Sequence, residues 1–220
     1  MIVTGLTNGG DQIKSRQGEI LGRRQDKIQS RSDYPVDFPK GIWGATGVLL
    51  HDHYPTICGG EDESWNIIKD CYSMHYISRP TIQQWEQWKH DVNWEQWKLR
   101  GSMTEARHFS VSISLNSSSF WVTGGLSNLG DLISTEILTI NEYGTSLNAE
   151  IGPTLPESSY GHCLVALTDT TTMALGGHFD KTTHIYDWVI SQWKKGPQLN
   201  TGDRYYPGCG LLKDQSTGKE

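Results

Sequence analysis

The feature that most constrains the fold is a hairpin pattern that ends in two glycines. In residues 160–177 it consists of an apolar run at 163–167, a polar turn, a second apolar run at 172–175 and the pair Gly176 and Gly177. Two apolar runs of strand length around a short polar turn are typical of an antiparallel hairpin. The pattern therefore predicts two β-strands, the second of which ends at the glycine pair.

Copies of this hairpin recur along the chain with constant internal spacing. A distance of 15 positions separates the members of three pairs: Gly44 and Gly59, Phe109 and Gly124, and Gly161 and Gly176. Partial copies stand at both ends, since residues 2–6 resemble residues 122–126 and residues 204–214 start like the other copies. The intervals between successive copies are 54, 65 and 52 residues. A repeat of roughly 50 residues made of short strands predicts propeller blades rather than a helical solenoid.

The residues after each glycine pair supply two further strands. In the best copy these are residues 183–187 and 188–193, and residues 134–141 follow the pair at 124–125. Each copy thus contains four short strands, which is the content of one propeller blade. A single sheet of this kind cannot bury both of its faces, so the blades must stack on one another.

The best copy resembles the kelch repeat family. The resemblance rests on the apolar run into Gly176 and Gly177, the Tyr-Asp pair that begins at Tyr186, and Trp193 on the fourth strand. It implies an all-β fold, a kelch-type β-propeller with about four blades of four-stranded antiparallel sheet. The other copies match less fully: one has Tyr72 with either Trp88 or Trp97, and another has Ile140 and Ala149 where Tyr and Trp are expected.

The repeats divide the chain into five segments. They are an incomplete blade at 1–38, a blade with a Trp-rich insertion at 39–103, blades at 104–156 and 157–199, and the start of a further blade at 200–220. Kelch propellers usually close with about six blades, which takes roughly 300 residues. We therefore expect a partial propeller with an incomplete ring, whose open blade faces and sheet edges favour self-association.

The Trp-rich insertion contains a local duplication. Residues 85–89 have the sequence Trp-Glu-Gln-Trp-Lys, and residues 94–98 repeat it. The near-helical spacing of Trp85 and Trp88 leaves a short helix open as an alternative to a longer hairpin. We expect Trp97 to belong to the outer strand and the other copy to project as an insertion.

The glycine pairs and the tryptophans have a common physical explanation. Glycine has no Cβ atom, so it adopts positive φ angles and lets neighbouring backbone or a large ring come close. We expect the tryptophan of an outer strand, such as Trp193, to fill the space beside the pair and to bury roughly 150–250 Å². A phosphate-binding glycine loop would require a following helix and a basic residue, and neither follows any pair.

Charge and hydropathy restrict the class of partner. The formal net charge of −6 argues against general affinity for nucleic acid. A basic cluster at 14–31 lacks the interleaved aromatic residues that stack on bases, so we interpret it as a solvated edge. Because no apolar stretch approaches 18 residues, the sequence predicts no membrane-spanning helix. The expected partner is another protein, or a second copy of the chain.

The cysteines bear on the compartment. Cys58, Cys71, Cys163 and Cys209 form neither a CxxC pair nor a zinc-binding spacing. The first two lie on adjacent strands of one copy and could face each other, whereas the other two occupy apolar positions of first strands. We interpret all four as reduced, buried thiols, for which a cytoplasmic location is the default. If the chain is secreted instead, Asn116-Ser117-Ser118 is an acceptor pattern for N-glycosylation.

Two groups of residues have reactive side chains in positions that favour structural roles. The segment 51–53, His-Asp-His, stands at a hairpin turn where the other copies carry solvated polar residues, so a metal pair is disfavoured. His162 and His178 have serines nearby at 158–159, but no Gly-x-Ser-x-Gly elbow accompanies them. The sequence thus predicts no catalytic residue, no metal site and no cofactor.

The residues that open the first strand of each copy are the predicted binding residues. They are Arg107, His108, Tyr160, His162, Arg204 and Tyr205, with Trp43 at the same place in an earlier copy. In a propeller the innermost strands of successive blades start around one end of the central channel. Arg, Tyr and Trp are enriched at interaction hot spots, and Arg can clamp a carboxylate through two parallel bonds. The resemblance implies that this rim binds short acidic or polar segments of partner proteins, unless the aromatic rings plug the axis.

Two functions remain open at this point. The kelch resemblance implies a non-catalytic protein-interaction module, such as a substrate adaptor in ubiquitination or a cytoskeletal linker. The alternative is an enzyme on the same scaffold, because galactose-oxidase-like and sialic-acid mutarotase propellers share the repeat. A copper oxidase would need Tyr and His ligands with a cross-linked Cys–Tyr pair, which Cys58, Tyr72 and His75 do not convincingly supply.

Overall fold

The structure, a computed structural model, consists of β-strands joined by turns. It describes residues 38–52, 54–74, 97–179, 181–201 and 206–211, together with the backbone of five strands before residue 38. The described residues contain one short 3-10 turn, Gly177–Phe179, and no α-helix. The prediction of an all-β chain is therefore confirmed.

The N-terminal segment holds a three-stranded sheet that we name blade I. Its part of the chain contains β1 (Ile2–Val3), β2 (Leu6–Thr7), β3 (Ile13–Lys14), β4 (Glu19–Arg24) and β5 (Lys27–Arg31). Blade I has the antiparallel order β1-β4-β5, and β2 pairs with β3 in a separate hairpin. The described part of this segment thus has three antiparallel strands, and its assignment to an incomplete blade stays a prediction.

Three four-stranded antiparallel sheets follow, which we name blades II, III and IV. The strands of blade II are β7 (Thr46–Leu50), β8 (Tyr54–Cys58), β10 (Asp70–Ser73) and β11 (Lys98–Ser102), preceded and interrupted by the short pair β6 (Ile42–Trp43) and β9 (Glu61–Asp62). Blade III has β12 (Val111–Ser114), β13 (Ser119–Thr123), β16 (Thr135–Ile140) and β17 (Leu147–Ile151), with the hairpin β14 (Leu126–Ser127) and β15 (Gly130–Asp131) between its second and third strands. Blade IV has β18 (His162–Thr168), β19 (Thr171–Gly176), β20 (Thr183–Asp187) and β21 (Gln192–Lys195).

The hydrophobic core lies between blades, and the second strand of blade III shows why. All five residues of β13 are buried, and successive side chains of a strand point to opposite faces. Phe120 and Val122 pack with Leu50 and Cys58 of blade II. Trp121 packs on the other side against blade IV, including Tyr186. Blade III therefore buries both of its faces only through its neighbours, as expected of stacked sheets.

The glycine pairs make room chiefly for the backbone of neighbouring segments, which corrects the prediction that a tryptophan ring fills the space beside them. A Cβ atom on Gly124 would overlap the carbonyl oxygen of Ser159 in the next blade, and one on Gly59 would overlap that of Arg107. The second glycine of each pair faces its own first strand: a Cβ atom on Gly125 would lie 2.7 Å from the carbonyl oxygen of His108. The pair therefore lets three backbone segments meet at the seam between blades.

The indole of Trp193 fills a different space from the one predicted. It lies 5.8 Å from Trp121 of the preceding blade, measured between ring centroids, and donates a hydrogen bond to the carbonyl of Thr154 at 2.8 Å. Trp97 is buried directly before β11, in contact with Phe38. The other copy of the duplicated motif, residues 85–89, lies outside the described residues.

All four cysteines are paired, so the prediction of reduced thiols is wrong. Cys58 and Cys71 are direct cross-strand neighbours on β8 and β10, with Cα atoms 4.1 Å apart, and form a disulfide. Cys163 of β18 forms the second disulfide with Cys209, across a sequence separation of 46 residues. One bond joins two strands of blade II, and the other fastens residues 206–211 to the first strand of blade IV. Because disulfides are rare in the cytosol, the cysteines no longer favour a cytoplasmic location.

Candidate functional site at the propeller mouth

One face of the propeller brings together connections that belong to neighbouring blades. Because the four strands of a blade are antiparallel, the start of the first strand, the loop between the second and third strands, and the link to the next blade lie at one end. We call this end the mouth face. In the described residues it comprises segments 59–69, 103–110, 124–134, 152–161 and 176–182, with Trp43, Gly44 and Tyr206 at the inner edge.

A row of backbone hydrogen bonds forms the inner edge of the mouth face. The amide of Phe109 donates to the carbonyl of Gly44 at 2.7 Å, that of Gly161 to Phe109 at 3.0 Å, and that of Tyr206 to Gly161 at 2.7 Å. All four residues have positive φ angles, between 53° and 64°. These residues occupy equivalent places in successive copies, so the prediction drawn from the 15-residue spacing is confirmed.

Aromatic side chains cover this inner edge as one connected cluster. Trp43 contacts Phe109 edge to face at 4.9 Å between centroids, and Phe109 contacts Tyr206 at 5.1 Å. Tyr160 packs on His178 at 4.2 Å. Burial, and then the electrostatic influence of Tyr160, raise the pKa of Tyr206, so its hydroxyl stays neutral and can donate a hydrogen bond. The cluster offers flat apolar faces with a few polar atoms, the surface typical of an interaction hot spot.

Two carboxylate–imidazole pairs flank the aromatic cluster. Glu61, which follows the glycine pair of blade II, approaches Nδ1 of His108 in blade III at 3.3 Å. Asp131 of β15 approaches Nδ1 of His178, which follows the glycine pair of blade IV. The first pair is nearly buried and the second is about one-third exposed. Each pair links neighbouring blades, and both acidic members lie in connections between second and third strands.

The loops around the cluster present large apolar side chains to solvent. Trp65, at the tip of the loop after β9, is 64% exposed, and its φ angle of 64° projects it from a tight turn. Leu129, between β14 and β15, is 97% exposed. The two side chains stand on adjacent blades, where a partner that covers both would remove their apolar surface from water.

Carboxylates outnumber cations on the described part of the mouth face. The acidic residues outside the core are Asp62, Glu63, Glu105, Asp131 and Glu157, and Glu61 is buried, whereas the basic residues outside the core are Lys69 and Lys181, with Lys40 near Asp62. Partial desolvation opposes ionisation of Asp62, but hydrogen bonds from the backbone of Asn66 and Ser64 lower its pKa overall. The carboxylate beside Trp65 therefore stays charged at neutral pH.

Arg107, predicted to bind partners at the rim, is a buried structural residue. Its side chain is 0% exposed, and its guanidinium donates to the carbonyls of Gly124 and Ser134 at 2.8 and 3.0 Å. It also donates to Glu136 at 2.9 Å. With these bonds inside the seam between blades II and III, the guanidinium cannot clamp a carboxylate of a partner. The binding role predicted for Arg107 is corrected on this ground.

His162 is buried as well, whereas the other predicted binding residues lie at the inner edge of the mouth face or outside the described residues. His162 is 3% exposed and its Nε2 atom lies 2.7 Å from the Thr123 hydroxyl. His108 and Tyr160 do stand at the inner edge of the mouth face, where His108 is largely buried and Tyr160 half-buried. Arg204 and Tyr205 lie outside the described residues.

Burial of His162 makes stability depend on pH. Desolvation lowers the pKa of His162 from 6.5 to about 3. Below pH 6.5 the imidazole is therefore protonated in the unfolded chain but stays neutral in the folded chain. The free energy of unfolding should therefore fall by about 1.4 kcal/mol per pH unit on acidification below 6.5. Urea unfolding at a series of pH values should show a shallower acid dependence for His162→Gln than for the original chain. Identical slopes would contradict this assignment.

Several residues of the mouth face were not predicted from sequence. Glu61 and His178 each follow directly after a glycine pair, so an alignment of the repeats could have identified this position. Trp65, Leu129 and Asp131 lie in loops of unequal length, where the alignment gives no guide. Within the described ranges, no group of three or more His, Cys, Asp or Glu side chains converges as metal ligands would. The described residues also include no helix long and apolar enough to span a membrane.

Comparisons with known proteins bear on the fold. No protein-family model and no curated protein matches the chain. Solved structures do match, among them one described as "Structure of YjhT", with a TM-score of 0.65 and 12% sequence identity over 92% of this chain and 68% of that chain. At this identity the likeness concerns the fold alone. Together with the four-stranded antiparallel sheets, it shows that the chain has a β-propeller fold.

Proposed function

We propose that this chain is a non-catalytic, kelch-type interaction propeller that binds segments of partner proteins on its mouth face. The observation that carries the proposal is the combination of exposed Trp65 and Leu129 with the aromatic cluster at the inner edge. Apolar anchors of this kind dominate binding free energies when a partner removes them from water. The loops between second and third strands at 59–69 and 124–134 on this face are also longer than the hairpin turns between first and second strands at the opposite end.

The charge of the mouth face favours partner segments that contain Lys or Arg. Asp62, Glu63 and Asp131 lie close in sequence to the apolar anchors Trp65 and Leu129. Of the two arginines expected to bind acidic segments, Arg107 is sequestered in the core and Arg204 lies outside the described residues. An acidic rim attracts a basic segment and speeds its association, most strongly at low salt. A cation over the face of Trp65 would add a further attraction. The preference is thus opposite to the one that the sequence suggested.

A peptide-binding comparison tests this proposal. Two synthetic peptides of equal length, one rich in Lys and Arg and the other rich in Asp and Glu, should differ in affinity by tenfold or more in favour of the basic peptide. The variants Glu63→Lys and Trp65→Ala should each weaken the basic peptide about tenfold, a loss near 1.4 kcal/mol. Isothermal titration calorimetry at two salt concentrations measures both effects.

The chain supplies a matched control on the opposite face. Glu142 and Tyr143 form a similar acidic and aromatic tip in the turn after β16, where Tyr143 is 71% exposed. Glu142→Lys and Tyr143→Ala should leave the affinity unchanged. Equal losses in both pairs of variants, or a preference for the acidic peptide, would contradict binding at the mouth face.

The disulfides narrow the roles that such a module can have. Substrate adaptors in ubiquitination and cytoskeletal linkers work in the reducing cytosol, where paired cysteines are rare. With both pairs of cysteines bonded, recognition of an extracellular or luminal protein agrees better with the structure.

A propeller enzyme is the second candidate, because the pairs Glu61–His108 and Asp131–His178 contain groups able to transfer protons. The copper set considered from sequence has no support in the described residues, since Cys58 is bonded to Cys71 and His75 lies outside them. Metal analysis of the purified protein tests the oxidase form of this candidate: stoichiometric copper favours an oxidase and removes the interaction proposal.

A further inference from the structure

We infer that Asn116 is a site of N-linked glycosylation and that the chain matures in an oxidising compartment. The segment Asn116-Ser117-Ser118 is the only Asn-x-Ser/Thr sequence in the 220 residues. Such a segment is modified only when it reaches the secretory pathway and is accessible. Two independent features of the structure meet these conditions: the exposure of the segment and the pairing of the cysteines.

The local geometry presents the acceptor nitrogen to solvent. Asn116 and Ser117 are exposed at the turn between β12 and β13. The Oδ1 atom of Asn116 accepts hydrogen bonds from the amides of Ser118 and Ser119, at 2.9 and 2.8 Å, and from the Ser118 hydroxyl at 3.0 Å. Each of these hydrogen bonds uses Oδ1, so the Nδ2 atom of this exposed side chain takes part in none of them.

The disulfides supply the second observation. The four cysteines would have to remain unpaired in a reducing cytosol, yet their positions bring them together in two pairs. Cys58 and Cys71 face each other on adjacent strands, and Cys163 meets Cys209 although 46 positions separate them. Each bond forms when two thiols give up two electrons and two protons to a thiol–disulfide oxidoreductase, and such catalysts work in the secretory pathway.

The modification itself is a glycosyl transfer from a polyprenyl diphosphate-linked oligosaccharide. A bond forms between Nδ2 of Asn116 and C1 of the first sugar, while the bond between C1 and the diphosphate oxygen breaks. The amide nitrogen loses one proton to solvent, and the polyprenyl diphosphate leaves. No oxidant or metal of this chain takes part, so the chain needs only to present the acceptor.

The position of Asn116 gives the glycan a structural consequence. The turn that carries it lies at the end of the propeller opposite the mouth face, beside the turn of blade II, where the amide of His51 donates to the carbonyl of Ser117 at 2.6 Å. Asp52 and Thr170, in the equivalent turns of blades II and IV, are exposed. An oligosaccharide there covers the opposite end of the propeller and leaves the mouth face open to a partner.

Expression of the chain behind a secretion signal in cultured eukaryotic cells tests this inference. We expect the secreted protein to shift to higher mobility after treatment with peptide N-glycosidase, and peptide mass spectrometry to find Asn116 converted to Asp. Non-reducing peptide maps of the same sample should contain the Cys58–Cys71 and Cys163–Cys209 links. The same chain expressed in the cytosol should show neither feature.

Three variants of the acceptor sequence and one control variant keep the test decisive. Asn116→Gln and Ser118→Ala should each abolish the mobility shift, whereas Ser118→Thr should retain it, because Thr also completes the acceptor sequence. Asn128→Gln, in the exposed hairpin of blade III, is the matched control and should retain the shift. A secreted protein without glycan at Asn116, or one whose shift persists in Asn116→Gln, overturns the inference.

Discussion

Replacing Gly124 with Ala is expected to lower the free energy of unfolding by about 2–5 kcal/mol, which is a large part of the stability of a single domain. Two costs add at this position. Gly124 has a φ angle of 56°, a left-handed conformation that costs other residues about 1–2 kcal/mol. The new Cβ atom would also overlap the carbonyl oxygen of Ser159, which belongs to the backbone and cannot rotate away. Urea unfolding followed by tryptophan fluorescence measures the loss.

Two further glycines separate these costs. Gly130 has a φ angle of 116°, but a Cβ atom added there would meet nothing within 4 Å, so Gly130→Ala should show the conformational cost alone. Gly208 also has open space around it and has no positive φ angle, so Gly208→Ala should be nearly neutral. A Gly124→Ala variant no less stable than Gly130→Ala would mean that blades III and IV do not meet closely at this seam.

The regular part of the fold could be predicted from sequence because it depends on local patterns. Alternating apolar residues, polar turns and glycine pairs specify hairpins, and their constant spacing places Gly44, Phe109 and Gly161 at equivalent positions. Phe109 shows how strong this constraint is, since a bulky residue adopts a positive φ angle where the other two copies have glycine. The position in the repeat, rather than the residue type, determines the conformation.

Equivalences beyond the glycine pair could not be predicted, because the following loop differs in length between blades. In the strand pairings, Tyr186 lies opposite Thr172, Leu138 opposite Phe120 and Met74 opposite Pro55. Leu138 and Met74 therefore occupy the position that Tyr186 has in blade IV. The sequence comparison assigned Tyr72 and Ile140 instead. In a strand, an error of two residues keeps the same face, so the all-β prediction survives while the signature position moves.

The binding residues were harder to predict because residue type does not determine burial. Arg107 and His108 are adjacent, yet one side chain enters the seam between blades and the other reaches the mouth face, since neighbouring side chains point in opposite directions. The partner of Arg107 is Glu136, 29 positions further along the chain, and only the stacking of strands brings them together. Because the stacking of the strands buries the Arg107 cation, the mouth face loses this positive charge and is left acidic.

Substituting Arg107 with Met is expected to destabilise the protein by about 3–5 kcal/mol, because it leaves the Glu136 carboxylate buried without its cation. Glu136 is 1% exposed and would keep only the hydrogen bonds from the amides of Thr104 and Glu105. Adding Glu136→Gln to Arg107→Met removes the buried charge while an oxygen remains to accept an amide, so the double variant should recover half of the loss or more. Lys181→Met, which changes an exposed cation, should alter stability by less than about 0.5 kcal/mol. Urea denaturation of the original chain, of Arg107→Met and Glu136→Gln alone, and of the double variant completes a double-mutant cycle. Strictly additive losses would show that the two side chains do not form a pair.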